Sequence, residues 1–175
     1  LIDVTRSLHH RQVFPHAIRG WSEEDRQQLI DTIYLPYRHR LDRVIKSRLD
    51  RGVQVIHLSL RTFAAKNSGK IVRTDMGLLY DPAFDTEVVT CLDWIDEMYD
   101  RVPMLRVRRN YPRRGTIDSI NRAMRQAFVD RQYVGVELML NRAWAGRDVA
   151  VRDEVIDGIG DSLSVAIACT QSQAA

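Results

Sequence analysis

Apolar runs of strand length alternate along this chain with longer stretches whose apolar residues recur every three or four positions. Ser22 precedes Glu23, Glu24 and Asp25, and Leu29, Ile33, Tyr37, Leu41, Val44 and Leu49 follow at helical spacing. An N-cap oxygen and an acidic first turn therefore predict a helix, kinked at Pro36, where one backbone donor is missing. Gly52 stops that helix, and Val53, Val55, Ile56, Leu58 and Leu60 make a nearly continuous apolar strand of the kind buried on both faces, expected at the centre of a sheet. Ile2 to Val4 reads as the end of another strand.

The alternation continues downstream. The polar loop TFAAKNSGK leads to the short apolar strand MGLLY, which ends at Asp81-Pro82. Phe84, Val88, Leu92, Ile95, Met98 and Tyr99 predict an amphipathic helix over roughly 85–100. Leu105 to Val107 returns as a strand, a helix is expected from about 117 to 128, YVGVELML is a further strand, and a last helix spans about 151–168, weakened by Gly158 and Gly160. Strands separated by helices of this length predict an α/β fold with a mainly parallel sheet and helices on both faces, a single domain over 1–170 with a frayed tail at 171–175. In such folds ligands sit beyond the carboxyl ends of the strands, which directs attention to the loops that follow them.

Composition narrows the picture further. No run of apolar residues approaches the roughly 20 needed to cross a bilayer, so no membrane role is expected. Cys91 and Cys169 are isolated, which argues against a disulfide framework or a cysteine-rich metal site and suits a reducing cytoplasm. The chain begins at Leu1 within an apolar stretch, with no basic leader ahead of it, and is expected to lack an N-terminal portion. A net charge of only +3 gives little support for nucleic acid, and the one dense basic loop contains a single aromatic residue for stacking, Tyr111.

That loop is the densest chemical constellation. Arg106, Arg108, Arg109, Arg113 and Arg114 surround Asn110 and Tyr111, and Gly115 and Thr116 open the next helix. Guanidinium forks, an amide and free helix amides are the groups that hold a carboxylate or phosphate in a fixed pose, so a small acidic molecule is the expected partner. The competing reading is that these arginines are solvated or paired with nearby carboxylates. Glu137, at the end of the apolar run VGVEL, is a candidate general base, or else one half of a structural ion pair. His9 and His10 are adjacent and would point to opposite faces of an extended segment, and His57 reads as a core histidine bonded to a backbone carbonyl. No GxSxG, nucleotide-binding glycine loop or HExxH is present.

The segments LIDVTRSLHHRQVF, YLPYRHRLD, VIHLSLRTF, RTDMGLLYDP, RVRRNYPRRGTID and YVGVELMLNR, covering most of Leu1 to Arg142, resemble in this order the N-formylglutamate amidohydrolases, a family related in fold to the zinc carboxypeptidases. The resemblance implies a phosphorylase/hydrolase-like α/β fold. It also implies a zinc-dependent hydrolase of N-formyl or N-acyl amino-acid dicarboxylates, in which a metal-bound water attacks, a glutamate acts as base and arginines clamp the substrate carboxylates. On that pattern Glu137 is the base, and Arg6, Arg109, Asn110, Tyr111 and Arg114 fall at positions around the cleft. The chain departs from the family at four places: Arg61 stands where a metal-ligating His is usual, Met139 replaces a second Glu, Thr5 an Asn and Arg113 a Tyr. An arginine stays protonated and cannot ligate zinc, so no metal ligand is assigned, and Arg61 instead adds positive charge for substrate. Two functions remain: an amidohydrolase with a rebuilt site, or a catalytically inactive relative that binds a small carboxylate.

Overall fold

A computed structural model describes residues 1–18 and 20–173, with side chains as far as residue 168. Its contacts group the chain into two compact units, Leu1–His57 with Ile117–Gly135, and Leu58–Thr116 with the residues from Val136 onward.

The first unit opens on turns rather than the expected strand end. The Asp3 carboxylate accepts from the Thr5 amide (3.1 Å), the Thr5 hydroxyl (2.5 Å) and Arg6 Nε (3.0 Å), so local side-chain bonds replace a strand ladder. Ser22 caps α1 (Glu23–Leu29) by accepting from the Asp25 amide. A π-helical stretch, Ile30–Tyr34, joins it to α2 (Leu35–Leu49). The Leu35 amide donates to the Ile30 carbonyl. This i to i+5 step ahead of Pro36 gives the helix a widened turn in place of the simple proline kink. Gly52, at φ 73°, and Val53, whose amide donates to the Arg48 carbonyl (3.2 Å), finish the helix, which removes Val53 from the strand predicted to contain it. Ser119 caps α4 (Ile120–Ala127), and Ile45 and Leu49 pack with Ile120, Met124, Phe128 and Tyr133 in this unit's core.

The strands are β1 (Val55–Phe63), the two-residue pair β2 (Lys66–Asn67) and β3 (Lys70–Ile71), β4 (Met76–Leu79), β5 (Val107–Arg109) and β6 (Tyr133–Asn141). The four longer ones form a sheet in the order β1-β6-β4-β5. The fold is α/β with a mainly parallel sheet; β4 runs parallel to β5, and its pairing with β6 is the antiparallel exception. β1 is not the central strand its apolar run suggested. It ends the sheet order, and Leu60 is 71% exposed, whereas β4 is buried throughout.

In the second unit α3 (Asp85–Arg101) packs against α5 (Val149–Gln173). Trp94 Nε1 donates to Ser162 Oγ at 3.0 Å between them. Gly158 and Gly160 do not interrupt α5. At Gly158 a Cβ would come within 3.0 Å of Val102 Cγ2, so the missing side chain is what admits close packing. The backbone of α5 continues into the expected tail as far as Gln173, and the last two residues of that tail lie outside those described. Among the described residues no helix is long and apolar enough to cross a membrane.

Candidate functional site

The arginine-rich loop is fixed to the carboxyl end of β4 by its own backbone. Asn110 adopts a left-handed conformation, φ 49°, which Asn tolerates better than most residues. Its amide donates to the Leu78 carbonyl at 2.7 Å, and its side-chain Oδ1 accepts from the Tyr80 amide (3.2 Å) and the Gly115 amide (2.9 Å). Asn110 therefore holds the loop shut, and its carbonyl oxygen is already committed to that task. Two glycines make the close approach possible. A Cβ on Gly77 would collide with the Tyr111 carbonyl, and one on Gly115 with the backbone of Tyr80.

This clamp sends neighbouring side chains in different directions. Tyr111 turns inward: its ring meets Phe63 edge-on at 5.6 Å, with the Arg108 guanidinium 5.1 Å from its centroid, and it packs on the cluster of Phe63, Leu79 and Met139. It serves as packing beneath the site. Arg113 forms an ion pair with Glu137, and Arg114 borders a cavity of about 360 Å³ with Pro82, Asn110 and Thr116. Arg109 is exposed at the end of β5, opposite Leu78.

Glu137 sits in the middle of β6, because the strand continues through Asn141 instead of ending at VGVEL. It is buried and lies opposite Leu79, the last residue of β4, which brings a mid-strand carboxylate to the tip of its neighbour. Burial of a carboxylate demands a partner, and Arg113, a departure from the family pattern, supplies one. Strand alternation sets Arg61, two residues before Phe63, on the face that carries Phe63 and Met139, and Glu137, two residues before Met139, shares it. Arg6 belongs to the first unit, where its Nε bonds Asp3 at 3.0 Å and a terminal nitrogen lies 2.8 Å from His10 Nε2.

Asp75 and His57 are held by partners of their own. The buried Asp75 accepts from Arg106 Nε (2.6 Å), a second Arg106 guanidinium nitrogen (3.0 Å), the Arg106 amide (3.0 Å) and Trp144 Nε1 (3.2 Å). Burial raises its pKa, and the Arg106 bonds and charge outweigh that, holding it below the usual carboxylate value. His57 Nδ1 lies 2.8 Å from the Tyr133 hydroxyl, a side-chain partner where a backbone carbonyl was expected. Burial, aided by the charge of Arg125, lowers its pKa to about 4. Among the described residues no three His, Cys, Asp or Glu side chains converge as a metal would require. With Asp75 and Glu137 both held by guanidinium groups, these residues do not fit the zinc that the family resemblance implies.

Sequence reasoning missed the close approaches at Gly77 and Gly115, and it set Gly115 and Thr116 at the opening of a helix that instead begins at Ile120 under the Ser119 cap. The glycines were visible as residues, but a close backbone approach leaves no mark in a single sequence.

No family model matches the chain, and no curated protein matches it. Solved structures do. The gene product Atu2144 from Agrobacterium tumefaciens superposes with a TM-score of 0.66 at 19% identity, over 94% of this chain and 67% of that one. The N-formylglutamate amidohydrolase from Ralstonia eutropha JMP134 superposes with a TM-score of 0.57 at 16% identity, over 85% of this chain and 55% of that one. The chain has the N-formylglutamate amidohydrolase fold. It spans little more than half the length of that amidohydrolase, and at these identities the likeness establishes the fold and not the reaction.

Proposed function

We propose that the chain is an amidohydrolase-like domain that takes a small acidic amide, of the N-formyl or N-acyl amino-acid dicarboxylate class, into the cavity beside Arg114. The observation that carries this reading is the Asn110 clamp. It presents Arg114, with Thr116 beside it, to a hollow of about 360 Å³, within the range that small-molecule sites occupy. A guanidinium there offers a fork that matches a carboxylate. Glu137 is the proton acceptor for the attacking water, a role open to it once Arg113 swings aside from the carboxylate. Likeness in fold to a solved N-formylglutamate amidohydrolase supports the reaction class.

A second reading is favoured by the same ion pair. A base already occupied by Arg113, beside an arginine where a metal ligand is usual, suits a protein that binds the carboxylate and does not cleave the amide. Calorimetric titration with N-formylglutamate, alongside an assay for released formate, separates the two. Binding with formate release supports hydrolysis, and binding without it supports the carboxylate binder. Arg114→Ala is expected to weaken binding about tenfold or more, the loss of one charge-assisted contact. Unaltered affinity in that variant, or no binding by the parent chain, would defeat both readings.

A further inference from the structure

In the first unit, the π-helical stretch and α2 leave one side of their helix outside the core. Tyr34, Ile45 and Leu49 are buried, and Leu41 packs on the same core as the last two. Ile33, Tyr37, Arg40, Val44 and Arg48 follow one another at steps of four, three, four and four residues, which keeps them in one stripe along roughly 22 Å of helix. Ile33 is 40%, Tyr37 43% and Val44 54% exposed, and Arg40 and Arg48 are exposed between and beyond them. Arg43, also exposed, borders the stripe.

The charge along this side has one sign. α2 carries Arg38, Arg40, Arg43, Lys46 and Arg48 against a single carboxylate, Asp42. Asp42 is two residues from both Arg40 and Val44, which sets it about 200° round the helix from each, on the opposite side. Arg38 turns inward to the Arg6 carbonyl and the Tyr34 hydroxyl, at 2.9 Å each, and Lys46 pairs with Asp50 on the side away from the stripe. Among the described residues the guanidinium groups of Arg40, Arg43 and Arg48 have no acidic partner. Apolar groups set between unpaired cations suit a partner that is anionic and also takes up apolar atoms. The headgroup layer of an anionic bilayer is both. A nucleic-acid duplex would use the cations and leave Ile33 and Val44 in water.

We propose that this stripe docks the chain on an anionic phospholipid surface, with the axis of α2 in the membrane plane. Ile33, Tyr37 and Val44 sit at the boundary of headgroups and acyl chains, and Arg40, Arg43 and Arg48 meet lipid phosphates and carboxylates. Such a contact lies on the surface, so the lack of a spanning helix among the described residues does not bear on it.

Co-sedimentation of the whole chain with vesicles of phosphatidylcholine and phosphatidylserine tests this, with vesicles of phosphatidylcholine alone as the comparison. Binding is expected to the anionic vesicles only, and it should decline with added salt. Arg40→Ala and Arg48→Ala should each lower the partition coefficient about fivefold, the worth of one cation near such a surface. Val44→Asp should lower it at least as much, with an unchanged far-ultraviolet circular dichroism spectrum. Lys46→Ala, on the far side, should change it little. Equal binding to both vesicle types or to neither, indifference to Val44→Asp, or a loss as large for Lys46→Ala as for Arg40→Ala would overturn the proposal. Binding to duplex DNA in place of the vesicles would overturn it in favour of a nucleic-acid partner.

Discussion

Arg113 and Glu137 form the pair on which the chemistry of this site turns. The carboxylate is almost fully enclosed, and the guanidinium side chain is one-fifth exposed. Removing the cation leaves a buried anion without its partner, which costs far more than the pair itself contributes. Arg113→Gln is therefore expected to lower the stability of the chain by about 3 kcal/mol, and Glu137→Gln by less, because its loss strands a group that still reaches water. The double variant should be more stable than the sum of the single losses implies. Urea denaturation of all four proteins as a double-mutant cycle measures that coupling, and additive losses would mean that the two side chains do not depend on each other. The resemblance set Arg113 apart as a departure and Arg114 as a match, but nothing in the sequence said which of the two would meet Glu137. Adjacent residues on a turn diverge, and which one meets Glu137 depends on β6, more than twenty positions away.

Among the elements, what the sequence made legible was periodicity. The apolar spacing of α3 and the Ser22 cap of α1 read correctly because their causes are local. The rank of β1 did not, since an apolar run shows that a strand can be covered and not which strands lie beside it; Leu60, its exposed member within the strand, lines an open hollow with Leu138 and Leu140. Asn110 was legible as a polar residue in the loop, whereas its left-handed backbone and its bonds to Tyr80 and Gly115 arise only once β4 and the loop meet. The loop's geometry yields a prediction at this scale. Gly115→Ala would drive a methyl group into the Tyr80 backbone, which cannot yield as a flexible side chain can. It is expected to destabilise the chain by about 2 kcal/mol and to displace Arg114 from its cavity, so that N-formylglutamate affinity falls together with the melting temperature. Gly146→Ala, where a Cβ meets nothing within 4 Å, is the control and should alter neither.

Over the whole chain, acid should act in two stages with separate origins. His57 is more basic unfolded, near its ordinary value of 6.5, than folded, where burial and Arg125 lower it to about 4. Between those values the unfolded chain takes up a proton that the folded chain refuses, so stability falls as pH drops through the window and levels off below it. From pH 7 to pH 5 the loss from this residue is about 2 kcal/mol, and His57→Gln should flatten the dependence across that interval. Asp75 acts in the same sense at lower pH. Its folded value is held below 3.8 by Arg106 against the effect of burial, so its contribution is complete above 3.8 and disappears as pH falls through the depressed value. Trp144 donates to that carboxylate, so its fluorescence should respond in the second stage and stay silent in the first. Urea midpoints measured from pH 7 to pH 3 by circular dichroism, with indole emission recorded in parallel, would separate the stages. A stability profile that is flat between pH 6.5 and pH 4 would show that His57 is not buried as a neutral ring, and the Tyr133 contact would then need a different explanation.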